Sequence, residues 1–142
     1  MLFRSIFNRK TIHQPTELFI KHSVIHGRGV FTRSVIKPGE LIERAPLILI
    51  DHKESGLLKQ TVLHDYYFLV KNLESPIAVG LGSSSLYNHS CPSNATYTID
   101  LVRKIIIIKA YRHINPLEEI TINYNGLPED NSMVLFTNSL AK

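Results

Sequence analysis

Three short runs in this 142-residue chain carry most of the side chains that could do chemistry. The first, Gly27-Arg28-Gly29, invites a phosphate or dinucleotide reading. It fails the fuller requirement, because a dinucleotide fingerprint needs a third glycine three positions on, a following helix and an acidic residue about 20 residues later. Thr32 stands where that glycine would be, and the continuation alternates apolar and polar residues like a strand. What the two glycines supply is backbone unshielded by Cβ, suited to a hairpin bend or to close approach of a ligand. The second run, Leu86-Tyr87-Asn88-His89-Ser90-Cys91-Pro92-Ser93-Asn94, is dense in hydrogen-bonding groups between apolar segments. A polar turn capped by Asn and Ser accounts for that composition. A Cys-His nucleophile pair does not, since His89 and Cys91 are two apart with no strand-to-helix elbow to aim the thiol. The histidines show no metal-ligand spacing either: His22 and His26 flank a glycine loop instead of sharing a helix face. The third run, from Glu118 to Gly126, is an acidic turn, a short strand and Tyr124 close to a breaker; alone, such a tyrosine is ordinary half-buried packing.

These runs must be positioned by a modest scaffold. The composition, 44% hydrophobic and 20% charged with seven Gly and seven Pro, belongs to ordinary globular proteins, and the length suits one domain. A single cysteine, Cys91, excludes an intramolecular disulfide framework and an all-cysteine zinc cluster. The 16 Lys+Arg against 12 Asp+Glu give a net charge of +4, which raises nucleic acid as a partner. The basic residues are spread out, however, concentrating only at Arg4/Arg9/Lys10 and at Arg103/Lys104/Lys109/Arg112, which argues against nucleic acid as the main one. The longest apolar stretches, Ala45–Ile50 and Ile105–Ile108, are too short to span a bilayer, and no long apolar segment follows the N-terminus. An intracellular protein, cytoplasmic or nuclear, is expected rather than a membrane or secreted one.

Residues 1–16 read as a basic arm. Leu18–His22 and Val30–Val35 predict a hairpin about the glycines. Lys37-Pro38-Gly39-Glu40 is a type II turn signal, because proline presets one φ and glycine accepts the positive φ that follows. Leu41–Ile50 resumes as a strand in which Pro46 argues for an edge or a bulge. Apolar residues at 58, 62, 63, 66 and 69 predict the main helix over Leu57–Leu69. Beyond it the pattern predicts strands at Ile77–Leu81, Ala95–Ile99, Val102–Ala110 and Ile120–Tyr124, the third so rich in Ile that it should be buried on both faces.

Taken together, Gly-Arg-Gly-Val-Phe, Asn-His-Ser-Cys and Glu-Ile-Thr-Ile-Asn-Tyr occur in that order within about 100 residues. That order resembles the SET-domain protein-lysine methyltransferases, as do the turns Lys37–Glu40 and Asn115-Pro116-Leu117-Glu118-Glu119. The resemblance implies a SET domain over 17–126, after a basic arm at 1–16 and before a tail at 127–142 that closes the lysine channel, with Leu135 and Phe136 packing there. It implies a mainly β, β-clip-like fold of small curled sheets with one main helix and a C-terminal pseudoknot, the last strand passing under the Asn88-His89 loop. It further implies S-adenosylmethionine as cofactor, with S-adenosylhomocysteine as product. The backbone around His26, Gly27, Arg28 and Gly29 would cradle it, with Asn88, His89 and Tyr124 completing the pocket. Tyr124 would be the catalytic tyrosine, and Tyr66 and Tyr97 would wall the channel.

The cysteines that bind zinc after the domain in many members have no counterpart, so no metal is expected, and the chain is similar to the minimal stand-alone versions of bacteria, archaea and large viruses. The implied partner is a lysine-bearing protein, histone-like or otherwise basic, and a second copy of the chain, a homodimer, is one source of substrate selection. The alternative is a SET-like fold kept as a binding module that engages nucleic acid or a protein without turnover.

Methyl transfer asks little covalent work of a protein, so positioning and electrostatics dominate. Presenting a neutral lysine amine at pH 7 costs about 4.6 kcal/mol from its usual pKa near 10.4. An apolar, tyrosine-lined channel lowers that cost by disfavouring the ammonium. Ile122, two before Tyr124, leaves more room beside the amine than an aromatic would. Basic substrates call for an acidic groove, which Glu43, Asp51, Glu54 or Asp65 could supply if folding brings them together.

Overall fold

Hydrophobic alternation in short runs produces short strands, and the chain is built mainly of them. The computed structural model describes residues 17–70 and 77–134. The expected basic arm, and Leu135 and Phe136, expected to close the channel, lie outside the described residues. The described chain runs β1 (Leu18–His22), β2 (Arg28–Thr32), β3 (Leu41–Ile50), α1 (His52–Leu58), β4 (Tyr67–Leu69), β5 (Ile77–Gly80), β6 (Asn88–His89), β7 (Ala95–Asp100), β8 (Ile105–Ala110) and β9 (Glu119–Ile122). Single 3-10 turns occupy Val62–Tyr66 and Ser84–Leu86.

One sheet has the order β1-β2-β9-β6 and the other β4-β5-β3-β8-β7. The first hairpin, β1 with β2, forms as expected, although β2 ends at Thr32, whose hydroxyl turns the chain by bonding to Ser34. In this sheet β9 is inserted between β2, antiparallel, and β6, parallel, with Asn88 opposite Thr121 and His89 opposite Ile122. The chain on both sides of β6 and β9 also interlocks: the Ser90 amide donates to the Ile122 carbonyl (3.1 Å) and the Ser93 amide to the Pro128 carbonyl (3.0 Å). That is the crossing of C-terminal strand and Asn88-His89 loop that the expected pseudoknot requires. Val30, Ile42, Tyr87, Ile106, Ile108, Ile114, Ile120 and Ile122 are all essentially buried and join the two sheets in one core. β8 is shorter than the expected Val102–Ala110 strand, Val102 lying exposed in the preceding turn. It is fully covered on one face only: Ile106, Ile108 and Ala110 are buried, whereas on the other face Ile105 is buried, Ile107 half-buried and Lys109 exposed.

The expected Leu57–Leu69 helix is a correction. Asp51 caps α1 earlier, accepting from the Lys53 amide, and the helix ends at Leu58. Thr61 then stops the chain twice over, donating its hydroxyl to the Leu58 carbonyl and accepting from the Leu63 amide. The stripe that suggested a helix is not a buried face: Leu58 is inside, but Val62 is 80% exposed and Leu63 44%. The aromatic end of the segment pairs instead as β4 against β5. β3 as a whole lies between β5 and β8, but at Pro46 it is paired on the β8 side only, a local edge as expected and without a bulge. Pro46 marks a change of partner: residues 41–46 pair with β8 and 47–50 with β5, so its missing N–H falls at the handover. The bulge lies earlier, at Leu41/Glu43, and turns both Ile42 and Glu43 inward. Among the described residues no helix is long and apolar enough to cross a membrane.

The type II turn is as read, with Gly39 at φ 82° and the Glu40 amide donating to the Lys37 carbonyl at 3.1 Å. Its later counterpart at Asn115–Glu118 closes with the same bond but places Leu117, not glycine, at φ 65°.

Candidate active site

β9 delivers Tyr124 two residues past its own end, beside β6, and that placement organises everything around it. The Tyr124 amide donates to His89 Nδ1 (3.1 Å), which puts the imidazole proton on Nε2, and the two rings pack at 5.2 Å. Its carbonyl accepts from the Tyr97 hydroxyl (3.3 Å), and its own hydroxyl donates to the Tyr87 carbonyl (3.0 Å). Burial, with the Glu119 charge adding to it against the opposing effect of the His89 contact, pushes the Tyr124 phenol up to about 12. It therefore keeps its proton at any physiological pH. Burial likewise lowers the His89 imidazole, favouring the neutral ring that the Tyr124 amide needs as acceptor.

On one face of Tyr124 lies a cavity of about 350 Å³. Five of the six tyrosines line it, Tyr66, Tyr67, Tyr87, Tyr97 and Tyr124, together with Phe68, Ile99 and Val134. Its walls come from β4 and β7, the two edges of the five-stranded sheet, which the sheet's curl brings close enough for Phe68 and Tyr97 to pack at 5.3 Å. Burial raises the Tyr97 phenol, and burial with the Asp65 charge raises that of Tyr67. Tyr67 also shares a hydrogen bond with His64 Nδ1 at 3.2 Å.

On the other side of Tyr124, beyond His89 and Asn88, the 23–28 loop is bound by side chains rather than by the ladder. Asn88 Nδ2 donates to the carbonyls of His26 (3.0 Å) and Arg28 (3.2 Å) and to Glu119 Oε1 (2.8 Å). Ser23 Oγ accepts from the Ile25 amide (2.9 Å) and donates to the Glu119 carboxylate. The expected reason for the glycines is thereby sharpened. A Cβ on Gly29 would collide with the Glu119 carboxylate and come within 3.2 Å of Asn88 Nδ2, so the close approach at Gly29 is made by the protein itself. Gly27, at φ 45° with nothing within 4 Å of a built Cβ, is the one that opens outward.

The SET domain family matches residues 27–125. The chain belongs to the SET-domain family. Among curated relatives, this SET domain is 31% identical over 114 residues to the H3 lysine-37 specific histone-lysine N-methyltransferase of Schizosaccharomyces pombe, covering 80% of this chain and 75% of that protein. It is 30% identical to human histone-lysine N-methyltransferase 2B along its full length, which is only 5% of that protein. Among solved structures, a candidate histone methyltransferase of Plasmodium falciparum superposes with a TM-score of 0.63 at 32% identity, covering 78% of this chain and 95% of that one.

Within this SET domain, Tyr66, Tyr97 and Tyr124 meet in the cavity, and His26, Arg28 and Asn88 meet in the loop network. Tyr66 sits on a 3-10 turn rather than the expected helix, yet still lines the cavity. The acidic groove is a correction. Glu43 is 4% exposed, taking the Tyr87 hydroxyl (2.8 Å) and the Ser83 amide (2.9 Å), Asp51 caps α1, and Glu54 lies on its first turn. Among the described residues Asp65 is the carboxylate that lines the cavity. Ile122 is wholly buried and does not line it.

Sequence reasoning missed three residues. Tyr87 lies one before the Asn88-His89 pair, and its carbonyl holds the Tyr124 hydroxyl while burial and the Glu43 charge push its own phenol well up. Glu119 was inside the third run but read only as part of a turn. Ser23 had no signal, because a serine at a strand end is unremarkable until the fold brings position 119 to it.

Proposed function

We propose that this SET domain transfers a methyl group from S-adenosylmethionine to the side-chain amine of a lysine in a histone-like basic protein. The observation that carries the reading is the position of Tyr124 between two unlike surfaces, the aromatic cavity and the Asn88-His89 segment with its bound loop. The residues there fit the cofactor. Residues 24–28 are exposed, Gly27 leaves open space, Asn88 holds the loop carbonyls, and Arg28 is the type of cation a carboxylate pairs with. When bound, the cofactor supplies a methyl on a positive sulfonium.

The chain's own part is to present a neutral amine in line with that methyl. Tyrosine-lined, apolar walls disfavour the ammonium, so the lysine loses its proton to water more readily inside than outside. Tyr124, with its phenol near 12, does not act as a base. Its hydroxyl hydrogen is committed to Tyr87, which leaves the oxygen lone pairs as acceptors for the polarised methyl and the amine. The bonds to His89 and Tyr97 at its amide and carbonyl keep that oxygen in place. Substrate choice rests on aromatic surface more than on charge, Asp65 being the one carboxylate among the described residues that lines the cavity.

Incubation with methyl-labelled S-adenosylmethionine and separate basic proteins, histone H3 among them, tests the reading. Label on a lysine of one protein, lost on adding excess S-adenosylhomocysteine, is expected. No transfer to any of them, with a salt-sensitive shift of nucleic acid, would favour the binding module instead.

A further inference from the structure

Glu118 and Glu119 are adjacent in sequence and do different work. Glu118 closes its own turn: it accepts from the Asn115 amide (2.9 Å), Asn94 Nδ2 (3.0 Å) and Arg112 Nη2 (2.8 Å). Burial alone would raise its carboxyl, but these donors hold it below the usual range. Glu119 reaches instead to two side chains that grip the 23–28 loop from opposite chemical ends. Ser23 Oγ, which donates to the Glu119 carboxylate at 2.7 and 2.9 Å, accepts from the amides of Ile25 and His26, and the Ser23 amide donates to the Gly27 carbonyl. Asn88 Nδ2 donates to the carbonyls of His26 and Arg28. The partner those two side chains share is Glu119. Gly29 is what admits its carboxylate, because any side chain there would occupy the same space.

We propose that Glu119 is a positioning residue that sets cofactor affinity, fixing the 26–28 backbone through Ser23 and Asn88. The proposal rests on the reading of that loop as the cofactor site. A carboxylate suits the place because it is acceptor-only and can receive both donors at once. Glutamine would keep the size and accept from Asn88, yet turn an N–H₂ toward Ser23, whose oxygen already accepts the Ile25 amide. Because Glu119 opens β9 and Tyr124 follows its end, one strand sets both the loop and the tyrosine, so the two are registered to each other.

The test uses the full chain and S-adenosylhomocysteine, with Kd measured by calorimetry and KM and kcat measured alongside. Glu119→Gln is expected to raise Kd, and KM for S-adenosylmethionine, at least tenfold while leaving kcat at saturation within threefold. Glu118→Gln, the control for a purely structural carboxylate, should lower the melting temperature and leave Kd within twofold. Ser23→Ala, a smaller deletion that covers the case of a Glu119 variant that does not fold, should raise Kd several-fold and speed hydrogen exchange at the Ile25 and His26 amides. Unchanged Kd in Glu119→Gln, or in Ser23→Ala should the first not fold, overturns the proposal, as does an equal loss of affinity in Glu118→Gln. Wild-type protein that binds no S-adenosylhomocysteine overturns the cofactor-site reading itself, a result distinct from normal binding in wild type and variant alike.

Discussion

On one side of Tyr124 the chain is held atom by atom, with one amide side chain gripping two backbone carbonyls and a carboxylate behind it, in a space where even a Cβ at Gly29 does not fit. On the other side the walls are aromatic rings from two sheet edges, packed on one another, with the hydroxyls of Tyr67, Tyr87, Tyr97 and Tyr124 bonded to other protein groups. On the proposed reading the first surface holds a polar molecule in one orientation, which hydrogen-bond geometry does well because each bond is directional. On the same reading the second admits an aliphatic chain and makes its charge costly, which needs shape and low polarity rather than placed atoms. Substitutions that conserve volume should therefore be tolerated around the cavity and not in the loop network.

The largest effect should fall where the two surfaces meet. Tyr124→Phe removes the hydroxyl bound to Tyr87 and should lower turnover about a hundredfold, roughly 2.7 kcal/mol, with S-adenosylhomocysteine affinity within twofold of wild type. Full activity in that variant would falsify the tyrosine's role. Next, Asn88→Ala removes the donor that the His26 and Arg28 carbonyls share and leaves the Glu119 carboxylate to Ser23 alone, so the cofactor Kd should rise at least tenfold. An unchanged Kd by calorimetry would erase the contrast between the two sides.

A smaller effect follows from pH. Because burial lowers the His89 imidazole, the folded protein prefers the neutral ring. That contribution is complete above the ordinary histidine pKa near 6.5 and is lost as pH falls through the lower folded value. Melting temperature should drop on acidification below about pH 6.5, and His89→Ala, already without the Tyr124 amide contact, should lack that part of the drop. The smallest effect is expected from Tyr97→Phe, which keeps the ring against Phe68 and loses one 3.3 Å bond. Turnover within about threefold is expected, about 0.65 kcal/mol, and a tenfold loss would place Tyr97 with the atom-by-atom side.

Much of this arrangement was legible in one dimension, and the places where it was not have physical causes. Strands of alternating or β-branched residues and the Lys37–Glu40 turn are local, so periodicity and turn chemistry find them. The Leu57–Leu69 segment had a helical period, but period measures spacing and not whether a partner covers the face, and Val62 and Leu63 are left exposed. Glu43 looked like a candidate for an acidic groove because a charged residue reads as surface. A bulge two residues into β3 and the hydroxyl of Tyr87, 44 positions away, make it a buried acceptor instead.

The sequence by itself determined the family, the order of the three runs and the residue types at the centre, Asn88, His89 and Tyr124, because those are properties of short motifs and of their order along the chain. Only the tertiary structure decided that Tyr124 stands between an aromatic cavity and a bound loop, that Gly29 makes room for Glu119, and that Ser23 and Glu119, 96 positions apart, share a hydrogen bond. The insertion of β9 between β2 and β6 is the reason: a parallel and an antiparallel pairing on one strand join segments that no local pattern relates.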